Sequence, residues 1–302
     1  QAADLDDLTW TITDSKVTIT DCRIEALGEL TIPLKIEGLD VTAIGEFAFS
    51  NCESLTSVVI PNSVTAIGAF AFASCQSLNS ILIPSSVTII GNSAFFSCRS
   101  LTNIAIPNSV TFLGSGAFSF CVNLTNVTIS NKVTSIEFNT FRACHSLTSI
   151  IIPDSVTSIG ASSFSGCKGL TSISIPNSVT SLGESSFTGC ESLVSISIPD
   201  SVTSIGNNAF QLCKGLTSIN LPENLSSIEY NTFRFCTALT DITIPKKVTS
   251  IADGAFSFCS GLTSLAIPEK VMSIGLLSFE HCRNLVFFEV HPNNLHFSSP
   301  NG

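Results

Sequence analysis

The sequence predicts a repeat solenoid, mainly short parallel β-strands with one short helical turn per coil, and three observations carry that prediction. Eleven of the twelve cysteines, from Cys52 to Cys282, stand 23 residues apart. Around each of them the same apolar residues recur, with Leu three places after and Phe three places before in every copy, as at Leu55 and Phe49 or Leu170 and Phe164. Six and eight places after the cysteine comes a pair of β-branched or large apolar residues, such as Ile81 and Ile83, with the period of a strand that buries one face. A fixed period of this length replaces a count of compact domains by one elongated domain.

Taken in order, residues 1–40 read as an N-terminal cap, 41–290 as a solenoid of about eleven 23-residue coils, and 291–302 as a C-terminal cap or a truncated continuation. Thr9–Thr20 alternates polar residues with Trp10, Ile12, Val17 and Ile19, the pattern of a half-buried strand or hairpin. Pro33 and Pro61 are 28 residues apart, which puts a five-residue insertion around Lys35–Gly38 of an atypical first coil. From Val41, Ile44, Gly45 and Phe49 onward the register is fixed.

Within each coil a proline usually ends the first strand, as at Pro61, Pro84 and Pro107, with Ser130 the one lapse inside the array. Val and Ile three apart follow (Val64 and Ile67, Val156 and Ile159), then usually Gly, which marks a second short edge and its turn. The Phe, often preceded by Ala, closes a short helical turn before the next cysteine. No single coil buries its inward side chains alone, so neighbours must stack in register at a strand spacing of about 4.8 Å. After Leu285 the pattern drifts: Phe288 and Val290 keep the strand positions, but Pro292 comes one residue late.

Composition excludes several classes of function. The chain of 302 residues has 44% apolar but only 12% charged residues and a formal charge of −10. Residues 1–53 hold 11 acids against Lys16, Arg23 and Lys35, which argues against binding nucleic acid or anionic lipid through basic patches and reads as a solvated end. No charge falls between Ser54 and Cys98, yet Pro61, Pro84, Gly68 and Gly91 interrupt that stretch, so no membrane insertion is expected. The chain starts Gln-Ala-Ala-Asp without Met or an apolar leader, as expected of a processed or trimmed protein.

The chemistry-bearing residues mostly fall on repeat positions. Cysteines in one column stack with parallel Cβ vectors about 4.8 Å apart, wider than the ~3.8 Å of a relaxed disulfide, and so are expected to stay reduced as small apolar residues. Cys22, outside the column, is the candidate for a bridge or a reactive thiol. His145, His281, His291 and His296 lack ligand spacing, so neither a metal nor a cofactor is expected. No Ser-His-Asp or Cys-His grouping stands apart from the repeat, and the glycines recur once per coil as turn residues, so no catalytic residue is assigned and the chain reads as a non-enzyme.

Functional information is therefore sought at outward positions that vary. Between the two buried strand residues the series runs Val59, Leu82, Ala105, Thr128, Ile151, then Ser174, Ser197 and Asn220. On the second edge it runs Ala66, Ile89, Phe112 and then Ser135 through Ser273. Val59, Leu82, Ile151, Ala66, Ile89 and Phe112 are accordingly the candidate residues of an exposed apolar strip that docks a protein. Rows of Thr such as Thr65, Thr88 and Thr111, or Thr125, Thr217 and Thr240, offer the alternative of binding glycan or another ordered surface.

The unit L-x-x-I-x-I-P-x-x-V-T-x-I-G-x-x-A-F-x-x-C resembles the BspA-type leucine-rich repeat over about residues 41–290. Its Cys precedes the strand, and Ser or Lys (Ser63, Ser86, Lys132) usually stands where the commoner leucine-rich pattern has an Asn ladder. The resemblance implies a right-handed leucine-rich-repeat solenoid, secreted or on a cell surface of a bacterium or protist, engaged in adhesion to host or neighbouring-cell proteins. The expected function is a non-enzymatic, monomeric protein-binding scaffold. Glycan binding, or service as a spacer that displays another domain, stands as the alternative.

Overall fold

The computed structural model describes residues 3–298, which fall into two compact units divided between Ser155 and Val156. Residues 299–302, part of the expected C-terminal cap, lie outside the described residues. Each unit is a β-solenoid whose coils pair with the register the sequence dictates, for instance Val58 opposite Ile81 in the first and Ile173 opposite Ile196 in the second.

The first unit opens with a 3-10 turn, Leu5–Asp7, in which Asp4 and Asp7 bond each other's backbone N–H in a capping box. β1 (Leu8–Thr13) and β2 (Lys16–Cys22) then form an antiparallel hairpin. Its turn residues Asp14 and Ser15 sit at φ 51° and 60°, the pair of positive φ values that matches strand twist. β3 (Gly28–Thr31) lies parallel to the strand Leu55–Val59 of the next coil. The insertion forms a second hairpin, β4 (Lys35–Ile36) against β5 (Leu39–Ile44), turning through Glu37 and Gly38 at φ 52° and 81°. β5 sits beside β2 on one side and the two-residue strand Ala66–Ile67 on the other, so the hairpin feeds directly into the first edge of the coils.

Inside each unit the inward columns form continuous stacks. Phe49, Phe72, Phe95, Phe118 and Phe141 are fully buried, with successive rings stacked at 4.9, 5.3, 5.3 and 5.7 Å. Phe164, Phe187, Phe210, Phe233 and Phe256 repeat this in the second unit at 5.4, 5.5, 5.7 and 5.4 Å. Near the chain's end the column opens: Phe279, Cys282 and Leu285 are only half-buried.

The helical turn before each cysteine takes the form of alternating backbone bonds. In the first coil Ala48, Ser50 and Cys52 donate to carbonyls three residues back, while Phe47, Phe49 and Asn51 donate to Ala69, Ala71 and Ala73 of the next coil. Such alternation needs two residues per coil in the left-handed region, here Phe47 at φ 58° and Asn51 at 64°. That conformation costs an ordinary residue about 1–2 kcal/mol and Gly or Asn less, which accounts for Gly116, Asn139, Gly166, Gly189, Asn208 and Gly254 at equivalent positions.

Two polar ladders tie coil to coil. The column Ser63, Ser86, Ser109 and Ser155, with Ser178 and Ser201 in the second unit, donates Oγ–H to the Val carbonyl 22 residues earlier, at 2.6 to 2.8 Å. Serine thus does what the Asn column does in the commoner pattern. Where Lys132 interrupts the column, Ser130 stands in the proline position, fully buried, and its Oγ reaches the Val110 carbonyl at 2.6 Å. The one missing proline and the one missing serine of this unit are a single exchange. At the other end the Asn294 amide donates to the carbonyls of Pro268 and Val271 at 2.8 and 3.0 Å, filling the same place one residue late.

The cysteines form the second ladder and are more than fillers. None of the twelve is in a disulfide, and column thiols donate to a Phe carbonyl 26 residues earlier: Cys75 to Phe49 at 3.0 Å, Cys121 to Phe95 at 3.1 Å, Cys213 to Phe187 at 3.2 Å. Burial pushes the thiols of Cys121 and Cys213 up to about 12 and those of Cys98, Cys190 and Cys236 well above their ordinary value.

One column carries a misfit. Before the buried Phe most coils have Ala, but Ser163 and Ser186 are fully buried with Oγ atoms that find no partner among the described residues. Thr140 and Thr232, at equivalent positions, bond the carbonyls of Glu137 and Glu229. Replacing Ser186 by Ala is expected to raise stability by about 1 kcal/mol, because an unsatisfied buried hydroxyl is removed without opening a cavity. Urea unfolding of S186A checks this; a lowered midpoint would mean the hydroxyl is satisfied.

Candidate functional site

The first unit presents its apolar outward residues on two edges of the same coils. Strand alternation buries Val58 and Ile60 and turns Val59 out, 52% exposed; its register partner Leu82 is 77% exposed. After the proline corner the chain crosses to the second edge, where Ala66, Ile89 and Phe112 pair in sequence. Ala66 is half-buried, while Ile89 and Phe112 are 45% and 47% exposed over the buried Ile90 and Leu113. Ile151, 84% exposed, stands apart from Leu82, with the outward Ala105 and Thr128 on the intervening coils. The structure therefore gathers five of the six candidates into two short strips and leaves the sixth isolated.

A second aromatic element flanks these strips at the turn side. Phe47 and Phe70 stack at 5.0 Å, with Phe47 half-exposed, and the Arg142 guanidinium lies 5.7 Å over the Phe120 ring. These rings occupy the left-handed turn positions, so their exposure follows from the backbone alternation rather than from strand pattern.

The second unit shows a different surface. Its outward strand face is a field of exposed hydroxyls, Ser172, Ser174, Ser195, Ser197 and Ser218. Toward the chain's end this face deepens into a cavity of about 700 Å³. Asp241, Thr243, Ser264, Ala266, Phe287 and Glu289 line it, together with Lys246, Lys270 and His291. A lining that mixes carboxylates and ammonium groups with apolar side chains suits a short polar ligand carrying both charges. Sequence reading missed this cavity. Its signals, such as Asp241 and Glu289 at positions that hold Ser, Asn or Thr in several earlier coils, were in the sequence.

The threonine rows are largely occupied by the scaffold itself. Thr65, Thr88 and Thr111 donate Oγ1–H to the Thr carbonyl one coil back at 3.2 to 3.4 Å, as do Thr180 and Thr203. In the other row Thr217 donates to the Val194 carbonyl, Thr240 to that of Thr217 and Thr263 to that of Thr240. Among the described residues no three His, Cys, Asp or Glu side chains converge as a metal site, and no helix is long and apolar enough to cross a membrane.

Comparison with known proteins bears on these surfaces. A family model described as the BspA type leucine-rich repeat region matches residues 42–171 and 157–286. None of the curated proteins matches the chain. Among solved structures, a leucine-rich cell surface protein from Faecalibacterium prausnitzii is 29% identical, covering 98% of this chain and 97% of its own, with a TM-score of 0.57. A leucine-rich repeat protein from Bacteroides ovatus is 27% identical over 96% of this chain and 94% of its own, with a TM-score of 0.59. The pneumococcal vaccine antigen PcpA, 19% identical over 99% of this chain and 91% of its own, shares the fold at a TM-score of 0.61.

Proposed function

The chain belongs to the BspA-type leucine-rich repeat family, and on that premise we propose that it is a non-enzymatic protein-binding scaffold, secreted or held at a cell surface. The observation that carries this reading is the set of large exposed apolar side chains Val59, Leu82, Ile89 and Phe112 on the first unit, at positions that in the second hold residues such as Ser174, Ser197 and Asn220 on the first strand and Ser throughout on the second edge. Inward columns repeat because every coil must fit its neighbour; outward positions have no such constraint. Burying a side chain such as Leu82 or Phe112 against a partner contributes about 1.5–3 kcal/mol, so a few of them suffice for a specific contact. The description of the Faecalibacterium relative as a cell surface protein supports the location.

Glycan recognition through the Thr rows is the weaker reading, because those hydroxyls already donate to backbone carbonyls and only their acceptor lone pairs face outward. The experiment that separates the readings is binding of the labelled monomer to arrayed extracellular proteins and to arrayed glycans at equal concentration. Retention on protein spots alone is the expected result. Retention on glycans alone would replace the reading, and retention on neither would favour a spacer.

A further inference from the structure

The thiol column begins with an exception that gives Cys22 a partner. Column thiols such as Cys75 and Cys98 bond a Phe carbonyl 26 residues earlier, but 26 residues before Cys52 stands Ala26 in the cap. The Cys52 sulfur instead faces the backbone oxygens of Cys22 and Arg23, at 3.6 and 3.7 Å. Cys22, the last residue of β2, points its own sulfur at the same Arg23 oxygen, at 3.8 Å. Two sulfurs thus converge on one carbonyl, and the interaction within the pair pushes the Cys22 thiol up and pulls the Cys52 thiol down. Both residues are buried, and Cys22 lies outside the parallel one-coil arrangement that keeps the column thiols apart from one another.

We propose that Cys22 and Cys52 form a disulfide when the chain folds in the presence of a disulfide oxidant, fastening the cap hairpin to the first full coil. The Cys52 thiolate attacks one sulfur of the oxidant and releases its first thiol; the Cys22 sulfur then gives up its proton and displaces the second. Two electrons and two protons leave the protein as two molecules of small thiol. The bridge closes a loop of 29 intervening residues that carries Glu25, Glu29, Glu37, Asp40 and Glu46, a segment whose like charges otherwise favour opening. The remaining column thiols, each engaged by a carbonyl, stay reduced.

The test is refolding of the full chain with glutathione disulfide, alkylation of free thiols and peptide mapping. The expected map shows one bridge, Cys22 to Cys52, and ten alkylated cysteines. Trypsin supplies a second readout, since Arg23 and Lys35 lie between the bridged residues. Cap fragments cut there should stay joined on a non-reducing gel, release at least tenfold more on reduction, and release equally with and without reductant in Cys22→Ala. Twelve alkylated cysteines after oxidative refolding, or a bridge within the column, would overturn the proposal.

Discussion

Raising the pH from 9 to 11 is expected to unfold the protein, with a steepness set by its thiol column. In the unfolded chain a thiol titrates at its ordinary value near 9. In the folded chain burial holds Cys121 and Cys213 at about 12 and raises Cys75, Cys98, Cys190, Cys236 and Cys259 further. Below pH 9 both states keep their protons and the contribution is complete. Above it the unfolded chain releases protons that the folded chain retains, and each thiol removes about 1.4 kcal/mol of stability per pH unit until the folded values are reached. Seven such groups amount to roughly 10 kcal/mol at pH 10, comparable with the whole stability of a typical domain. Circular dichroism across this range should show loss of strand signal, reversible on return to neutral pH. In the double variant C98A/C121A the dependence on pH should be shallower by about two thiols' worth, whatever its starting stability. A chain that keeps its structure at pH 11 would show that the thiols titrate in place.

The largest expected effect of one substitution is that of Phe187→Ala, about 3–5 kcal/mol of destabilisation. The ring is fully buried between Phe164 and Phe210, and the coil that carries it touches only its two neighbours, so the space left cannot be filled from elsewhere. The backbone there is equally committed: the Phe187 N–H donates to Ala209 and its carbonyl accepts the Cys213 thiol. Loosening should begin locally, with new protease cuts among coils near residue 187 before the ends are lost. Phe279→Ala provides the comparison. Its ring is only half-buried, and the loss should be clearly smaller. Equal costs at the two positions would mean that stability is not set coil by coil.

The inward architecture was legible because the Phe, Cys and Leu columns repeat without exception, and a column read eleven times leaves little freedom of register. Leu, Phe and the Ile pair all stand where that reading puts them. What the columns concealed is which atoms meet. Serine at position 63 or 86 looks like a solvated residue until its Oγ is found 2.6 Å from a valine carbonyl, and the exchange of Ser130 for Lys132 is intelligible only with that bond known. The cysteines were read as small apolar side chains, yet their thiols act as donors. The turn before them was expected to be helical; its alternating bonds and its left-handed residues follow from pairing with the next coil, which local sequence does not encode. Among outward residues, exposure of Leu82, Ile89 and Phe112 followed from alternation, whereas the cavity near Asp241 and Glu289 is lined from three successive coils and shows only when they are stacked.

The central claim is a division of labour, with repeated inward columns holding the coils and varied outward residues binding a protein. Its most direct test is a paired measurement on the triple variant L82D/I89D/F112D: thermal unfolding, and retention on the protein spots that bind the unaltered chain. All three side chains are exposed and leave the core unchanged when replaced, so the melting temperature should shift by no more than about 2 °C, as for surface substitutions. Retention should fall at least tenfold, the loss of roughly 1.4 kcal/mol or more of binding free energy. Unchanged retention would contradict the account by removing these residues from the contact, and a melting temperature lowered by ten degrees or so would contradict it by assigning them to the core.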